Sequence, residues 1–236
     1  MKTLREAIRP ATFIKSEKLS RFLGIDITIA TETFQHTGSF KFRAGYNVAL
    51  NVENEHLIAA SSGNFGQALA YSCKLLSKKC HIVMPETSAQ VKVDAVRNYG
   101  AVVDLIDVKE IGREERVAQL MAEFPNAYQA SAYDDPLVID GNSTLGDEIG
   151  AYDENFDCVI VPVGGGGLLA GMAVYLKQLQ PSIKVIGVEA QDSACLTAAL
   201  AAGQPVDLPH VGLFADGVAV KRIGEHTFDL IQHYCD

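Results

Sequence analysis

The amino-acid sequence predicts an α/β fold with mainly parallel sheets, and three observations lead to this prediction. Apolar residues make up 48% of the 236 residues and charged residues 21%, the composition of a globular protein long enough to bury a core. Short apolar runs with strand character alternate with longer helical patterns along almost the whole chain. No linker rich in Pro or Ser separates them, so a boundary between two lobes has to be a point where the chain crosses over.

The individual elements follow from these patterns in chain order. The apolar runs predict strands at Asp26–Ala30, Leu57–Ala60, His81–Met84, Val102–Ile106, Asp157–Val163 and Lys184–Val188. The helical patterns predict helices at Asn64–Leu76, Ser88–Tyr99, Gly112–Phe124, Leu137–Ile149, Leu168–Leu179, Ser193–Ala201 and Ile223–Tyr234. In parallel sheets built from such units, ligands bind beyond the carboxyl ends of the strands, so the loops that lead into the helices are where we look for chemistry.

The charge and the N-terminus exclude some classes of protein. A net charge of -9 argues against a nucleic-acid partner, which would require a basic face. No apolar run reaches the length of a membrane span, and "MKTLREAIRPATF" lacks the apolar centre of a signal peptide. We therefore expect a cytoplasmic protein with no nucleic-acid and no membrane partner.

The glycine-rich stretch "PVGGGGLLAG" is the strongest local signal. A buried strand runs into Gly164–Gly167 and directly on into a helix. Four glycines allow a tight backbone whose N–H groups point at one spot, and the helix dipole favours negative charge there. The pattern predicts a phosphate site, although glycines also serve plain strand-to-helix turns.

A nicotinamide-dependent oxidoreductase is an alternative reading of the same glycines. Gly165, Gly167 and Ala170 satisfy the spacing of the dinucleotide fingerprint, and Glu189 ends the next strand, where an acid that binds ribose is expected. Two points count against it. Dinucleotide-binding glycines usually open the first β-α unit of a fold, and this reading leaves Lys41 without a role.

Two further loops carry polar groups. The turn Ser61–Asn64 starts a helix, where hydroxyls, an amide and backbone N–H groups can bind a carboxylate or phenolate oxygen or simply cap the helix. In "QHTGSFKFRAG", Lys41 stands among Phe40, Phe42 and Tyr46, and an amine in an apolar setting has a lowered pKa and becomes a nucleophile. A phosphate site, an oxygen-binding loop and a positioned lysine together suit pyridoxal phosphate as the cofactor.

Four stretches then carry a resemblance to a known family: "GSFKFRAG", "SSGNFGQALA", "IVMPETSAQVKVDAVRNYGAVV" and "PVGGGGLLAG". In order and spacing they resemble the serine/threonine dehydratases among the fold type II pyridoxal-phosphate enzymes, the tryptophan synthase β-like class. The last third is most similar to the catalytic domains of biosynthetic threonine deaminases. The resemblance implies two lobes, each with a mainly parallel sheet flanked by helices. The large cofactor-binding lobe would comprise residues 1–40 and 137–236, and the small lobe residues 41–136.

The resemblance also implies roles for individual residues. Lys41 would form the Schiff base with the cofactor and then remove the Cα proton of the substrate, with Phe40 packed beside it. The cofactor phosphate would be held by Gly164, Gly165, Gly166, Gly167 and Leu168. Asn64 would bond the ring hydroxyl oxygen and Gly217 would line the other edge of the ring. The substrate carboxylate would be bound by Ser61, Ser62 and Asn64.

The implied reaction is β-elimination on a small amino acid. L-Threonine would give 2-oxobutyrate and ammonia, and L-serine would give pyruvate and ammonia. The preference between the two substrates stays open, because "GNST" at Gly141–Thr144 differs from the more common "GQGT". Family members usually form homo-oligomers, so the resemblance implies one here.

Three departures from the family pattern matter. Ser62 stands where threonine deaminases often carry alanine, whereas serine racemases carry serine and use it as an acid/base, so racemisation is an alternative. Racemase-like relatives bind a divalent metal through a Glu and an Asp six residues later. Here Cys195 follows Glu189 at that spacing, so we expect no metal and read Glu189 as an exposed acid at a strand end.

The third departure concerns length. Family members continue beyond "IQHYCD", and their later segment carries the Ser or Thr that bonds the pyridine nitrogen. We expect either a fragment of a longer protein or a shortened, inactive paralogue, and the number of retained motif residues favours the fragment.

Overall fold

The structure is a computed structural model that describes residues 2–212 and 214–236, so residues 1 and 213 of the predicted large lobe lie outside it. The strands are β1 (Thr12–Lys15), β2 (Thr28–Thr31), β3 (His56–Ala60), β4 (Lys79–Pro85), β5 (Val102–Ile106), β6 (Tyr128–Gln129), β7 (Cys158–Pro162) and β8 (Lys184–Val188). The helices are α1 (Leu4–Ala7), α2 (Glu17–Leu23), α3 (Lys41–Asn51), α4 (Asn64–Leu75), α5 (Gln90–Asn98), α6 (Arg113–Glu123), α7 (Pro136–Gly150), α8 (Gly167–Leu179), α9 (Cys195–Ala202) and α10 (Glu225–Tyr234).

A four-stranded parallel sheet forms one half of the chain, in the order β5-β4-β3-β6. Along β3, Leu57 belongs to a core shared with α4 and α5, and the next residue, Ile58, belongs to a core shared with α6. Side chains alternate between the two faces of a strand, so an uninterrupted apolar run buries both faces. This explains why the strand reads as continuously hydrophobic.

The second half is built around the parallel pair β7–β8 and the helices α7, α8, α9 and α10. Its core draws on Val161 of β7, Val185 of β8 and Leu176 of α8, and on Ala11 from the N-terminal segment. The predicted α/β class with parallel sheets and flanking helices is confirmed. The division into lobes at residues 40/41 and 136/137 stays a prediction.

Some elements differ from the sequence-based prediction. The N-terminal region contains α1, α2 and the antiparallel pair β1–β2, in which Thr12 is opposite Thr31. The strand predicted at Asp26–Ala30 overlaps β2, whereas α1, α2, β1 and β6 were missed because each spans seven residues or fewer, too short for a clear periodicity. In the described part of the chain, no helix is long and apolar enough to cross a membrane.

Candidate active site

A cavity of about 740 Å³ lies at the carboxyl ends of β3, β6 and β7. Its walls include the start of α3, the loop before α4, the linker before α7, the glycine loop before α8 and the segment around Gly217. The structure brings together here every residue that the sequence analysis singled out as catalytic, cofactor-binding or substrate-binding: Phe40, Lys41, Ser61, Ser62, Asn64, Gly164, Gly165, Gly166, Gly167, Leu168 and Gly217.

Lys41 is the first residue of α3, and its amine lies in an apolar environment. Nζ lies 5.2 Å from the ring centroid of Phe40 and 5.9 Å from that of Phe65, and it donates a hydrogen bond of 2.6 Å to the carbonyl oxygen of Ala132. Desolvation lowers the pKa of Lys41 from 10.5 to about 8. About a tenth of the amine is then neutral at pH 7, against roughly one part in 3,000 for an ordinary lysine. This amine can act as a nucleophile.

The glycine loop connects β7 to α8 in a form that larger residues do not tolerate. Gly166 precedes the first turn of α8 and has φ +91°, in the left-handed region that glycine adopts freely. A Cβ on Gly165 would lie 2.1 Å from Cγ of Tyr133, so the aromatic ring packs directly on the loop backbone. The loop thus leaves the backbone N–H groups at the start of α8 next to the cavity, which suits a phosphate.

The serine-rich turn before α4 is organised by Ser61. The Ser61 side chain is buried, and its Oγ accepts hydrogen bonds from the backbone N–H of Gly66 at 3.0 Å and of Gly63 at 3.4 Å. This is the helix-capping role that the sequence analysis weighed against ligand binding. Ser62 and Asn64 also line the cavity, and Asn64 is exposed.

The linker between β6 and α7 is a part of the site that the sequence analysis missed. Ala132 supplies the carbonyl that holds Lys41, and Tyr133 covers the glycine loop. Burial raises the pKa of the Tyr133 hydroxyl, which keeps it neutral. A signal was present in "DDP", because Asp135 caps α7 and Pro136 is its first residue, which marks a loop that leads into a helix. The preceding strand of two residues was too short to recognise.

Charged residues from both halves also reach the cavity and were not singled out from the sequence. Lys92 of α5 pairs with Asp216 of the 3₁₀ turn Asp216–Val218, with 2.8 Å between Nζ and Oδ2. Arg113 and Glu114 at the start of α6 line the same cavity. Nothing in the local sequence around Lys92 indicates a partner 124 residues away.

Glu189 has a structural role that differs from both readings of the sequence. Its carboxylate accepts hydrogen bonds from the backbone N–H of Leu196 at 2.7 Å and of Thr197 at 2.8 Å, and from the Thr197 hydroxyl at 2.7 Å. It therefore caps the first turn of α9. It lines a separate depression beside α9, while the glycine loop lines the main cavity. Because Glu189 caps α9, it does not serve as the ribose-binding acid that a nicotinamide-dependent oxidoreductase would need.

Comparisons with known proteins agree with this geometry. The family model described as "Pyridoxal-phosphate dependent enzyme" matches residues 4–236. The biosynthetic L-threonine dehydratase of Salmonella typhimurium is 47% identical over 98% of this chain and 46% of its own length. A processed form of threonine deaminase isoform 2 from Solanum lycopersicum superposes with a TM-score of 0.92 at 37% identity, covering 99% of this chain and 69% of that one.

Serine racemase from Dictyostelium discoideum superposes with a TM-score of 0.91 at 31% identity, covering 99% of this chain and 76% of that one. The chain spans about half the length of the curated relatives it matches. Because the family model covers nearly the whole chain, the chain belongs to the family of pyridoxal-phosphate dependent enzymes.

Proposed function

We propose that this chain binds pyridoxal 5'-phosphate and acts as a lyase that converts L-threonine to 2-oxobutyrate and ammonia by β-elimination, with L-serine as a second substrate giving pyruvate. The observation that carries the proposal is the position of Lys41 and the glycine loop in one cavity, with a lysine pKa of about 8. The identity to threonine dehydratases supports the choice of threonine.

The residues of the cavity fit this cofactor. The loop Gly164–Gly167, followed by Leu168, offers backbone N–H groups to a phosphate without requiring a cationic side chain. Asn64 offers an amide to the ring hydroxyl oxygen, while Phe40 and Gly217 would line the ring. When bound, pyridoxal phosphate supplies an aldehyde for covalent attachment to an amine and a ring that stabilises negative charge at the substrate Cα.

Lys41 would carry the proton transfers at the substrate. With its amine free and neutral, Lys41 would remove the proton from Cα of a bound substrate. The pKa of about 8 gives it both a neutral fraction to accept that proton and a basicity sufficient to hold it. Loss of the Cα proton together with the hydroxyl group at Cβ would release one water, and hydrolysis of the resulting enamine would yield the oxo acid and ammonia.

The loop before α4 would bind the substrate carboxylate. Ser62 and Asn64 have side chains available to it at the start of α4, where the helix dipole favours a negative group. Ser61 contributes chiefly by holding the loop, since its Oγ already accepts two backbone hydrogen bonds, but its hydroxyl proton can still be donated.

A racemase activity is the second candidate, and one observation favours it. Ser62 lies in the cavity wall, as required of an acid/base that would serve the second face of Cα. The similarity to serine racemase is consistent with this role.

The cytoplasmic location and the homo-oligomeric state expected from the sequence are further parts of the proposal. Size-exclusion chromatography coupled to light scattering would test the oligomeric state.

The decisive experiment traps the cofactor. The purified protein is mixed with pyridoxal phosphate, reduced with borohydride and digested, and the labelled peptide is identified by mass. We expect the label on the peptide with Lys41, and none after Lys41→Ala. Lys92 is a matched control, because it is a lysine in the same cavity that is paired with Asp216. A label on Lys92 in place of Lys41 would overturn the role of Lys41, and no label on a folded protein would overturn the cofactor assignment.

Turnover separates the lyase from the inactive paralogue and from the racemase. We expect 2-oxobutyrate from L-threonine, measured by coupled reduction of the oxo acid. A labelled protein that forms neither oxo acid nor D-serine would be a binding paralogue without activity.

A further inference from the structure

A buried ion cluster lies in the first turn of α3, two residues after Lys41. The side chain of Arg43 is 0% exposed. Its Nε and Nη2 donate to the two carboxylate oxygens of Glu32 at 2.7 and 2.8 Å. Its Nη1 donates to Oε1 of Glu148 at 2.7 Å and to the hydroxyl of Thr144 at 3.1 Å, both on α7. The guanidinium therefore joins α3 to α7 and to the segment after β2.

The same cluster reaches the N-terminal segment. The second oxygen of Glu148 accepts a hydrogen bond of 2.6 Å from the backbone N–H of Ala11, and Nη2 of Arg43 approaches the carbonyl oxygen of Arg9 at 3.5 Å. Burying one cation with two carboxylates carries a desolvation cost that makes such clusters weak sources of stability. Their better-attested use is to specify one arrangement of the chain around them.

Helix α7, which Arg43 contacts, also lies between α3 and α8. A Cβ on Gly141 would lie 2.7 Å from the carbonyl oxygen of Arg43, so the backbones of α7 and α3 are in contact. A Cβ on Gly171 would lie 2.3 Å from the carbonyl oxygen of Ile139, so α7 and α8 are in contact as well. Since α8 begins at the glycine loop, α7 fixes the distance between Lys41 and the phosphate site.

We propose that Arg43 is a positioning residue that holds Lys41 at the distance from the glycine loop at which its amine meets the cofactor aldehyde. This inference rests on the proposed function. The amine of Lys41 is held by Ala132, just before α7, and its backbone is held through Arg43 to Thr144 and Glu148 on α7. The amine of the lysine is thus held by the linker that leads into α7, and its backbone is held by α7 itself.

Lysine cannot replace arginine in this role. The planar guanidinium presents five N–H groups in a fixed fork that engages two carboxylates in different directions, while an ammonium has three donors on a flexible stem. Arg43→Lys keeps the positive charge and the helical propensity but loses the simultaneous contacts to Glu32 and Glu148. It therefore tests geometry rather than charge.

The experiment measures two quantities with two ligands. Both ligands carry the phosphate, but only the first carries the aldehyde. The first is the rate constant for labelling Lys41 with pyridoxal phosphate, in which the amine condenses with the aldehyde with loss of one water and borohydride then reduces the new carbon–nitrogen bond. The second is the dissociation constant of pyridoxine 5'-phosphate, which has an alcohol in place of the aldehyde and cannot bond to the lysine. We expect Arg43→Lys to slow labelling by up to about 100-fold, the cost that a misplacement of about 1 Å can have, while pyridoxine phosphate affinity stays within measurement error.

Two more variants complete the experiment, one with a smaller expected effect and one as a control. Glu148→Gln weakens the contact of Arg43 to α7 and the hydrogen bond from Ala11 but leaves the pair of Arg43 with Glu32. It should slow labelling less than Arg43→Lys, and it carries the test if Arg43→Lys does not fold. Arg116→Lys is the matched control, because Arg116 forms a partly buried pair with Asp104 of β5 and neither residue lines the cavity, and this variant should label at the wild-type rate.

The outcomes separate the inference from the proposed function. If the wild type is labelled and Arg43→Lys is labelled equally fast, or loses pyridoxine phosphate affinity in the same proportion, the positioning role is overturned and Arg43 is structural. If the wild type itself takes no label, the proposed function fails and the inference falls with it.

Discussion

Lys92 and Asp216 form an ion pair that connects α5 to the 3₁₀ turn Asp216–Val218, and both residues line the cavity. Their side chains are 35% and 66% exposed, so solvent screens the pair and its contribution is about 1 kcal/mol or less. The pair joins the two halves of the chain beside the proposed cofactor site.

We predict that Asp216→Asn leaves the fold intact and increases the dissociation rate constant of the cofactor by up to about fivefold, the equivalent of about 1 kcal/mol. Stopped-flow absorbance on displacement of the cofactor measures the rate. Raising the ionic strength should reduce the difference between variant and wild type, because exposed ion pairs are screened by salt. Asp153→Asn, at an exposed position in a loop away from the cavity, is the control.

The buried amine of Lys41 should cost the cofactor-free protein stability. Lowering the pKa of Lys41 from 10.5 to about 8 corresponds to a destabilisation of about 3 kcal/mol at neutral pH. Replacing Lys41 by Met removes this cost but also removes the hydrogen bond to Ala132, which contributes about 1 kcal/mol. We therefore expect Lys41→Met to raise the free energy of unfolding by about 2 kcal/mol at pH 7, measured by urea denaturation without cofactor.

The pH dependence of that gain has a definite sign. Between pH 8 and 10.5 the unfolded chain holds more protons at Lys41 than the folded chain does, so the stability of the wild type rises with pH across this window. The advantage of Lys41→Met should be largest below pH 8 and shrink towards pH 10.5. An advantage that does not change with pH would contradict the desolvation of this amine.

The glycine loop should not accept a methyl group at Gly165. The new Cβ would overlap the ring of Tyr133, and forced overpacking of this kind costs about 1–3 kcal/mol. We expect Gly165→Ala to lower the thermal midpoint and weaken binding of pyridoxine phosphate. Gly112→Ala is the control, since a Cβ there meets its nearest neighbour, in Glu115, only at 4.0 Å.

Replacing each of the two serines before α4 by alanine should have different effects on stability and on racemisation. Ser61→Ala removes the acceptor of two backbone hydrogen bonds and should cost about 1 kcal/mol of stability, as loss of a helix cap does. Ser62→Ala should leave stability nearly unchanged and abolish any formation of D-serine from L-serine, while β-elimination persists. Chiral chromatography of the products measures this, and D-serine formed by Ser62→Ala would exclude Ser62 as the acid/base.

The sequence by itself determined the α/β class, the central elements and the loops of the site. The apolar run Leu57–Ala60 coincides with β3 to within one residue, because burial of both faces of a parallel strand leaves a local record in the sequence. Gly164–Gly167 and Ser61–Asn64 were recognisable because a turn into a helix depends on the residues in the turn itself. All the predicted site residues line one cavity.

The tertiary structure alone decided which distant groups complete that cavity. Ala132 reaches Lys41, Tyr133 covers Gly165 and Arg43 joins Glu32 to Glu148, and none of these contacts has a signature in local spacing. Glu189, which the sequence left as a strand-end acid, turns out to cap a neighbouring helix. Such contacts depend on how whole helices pack, and backbone approach at Gly141 and Gly171 fixes that packing only once the chain has folded.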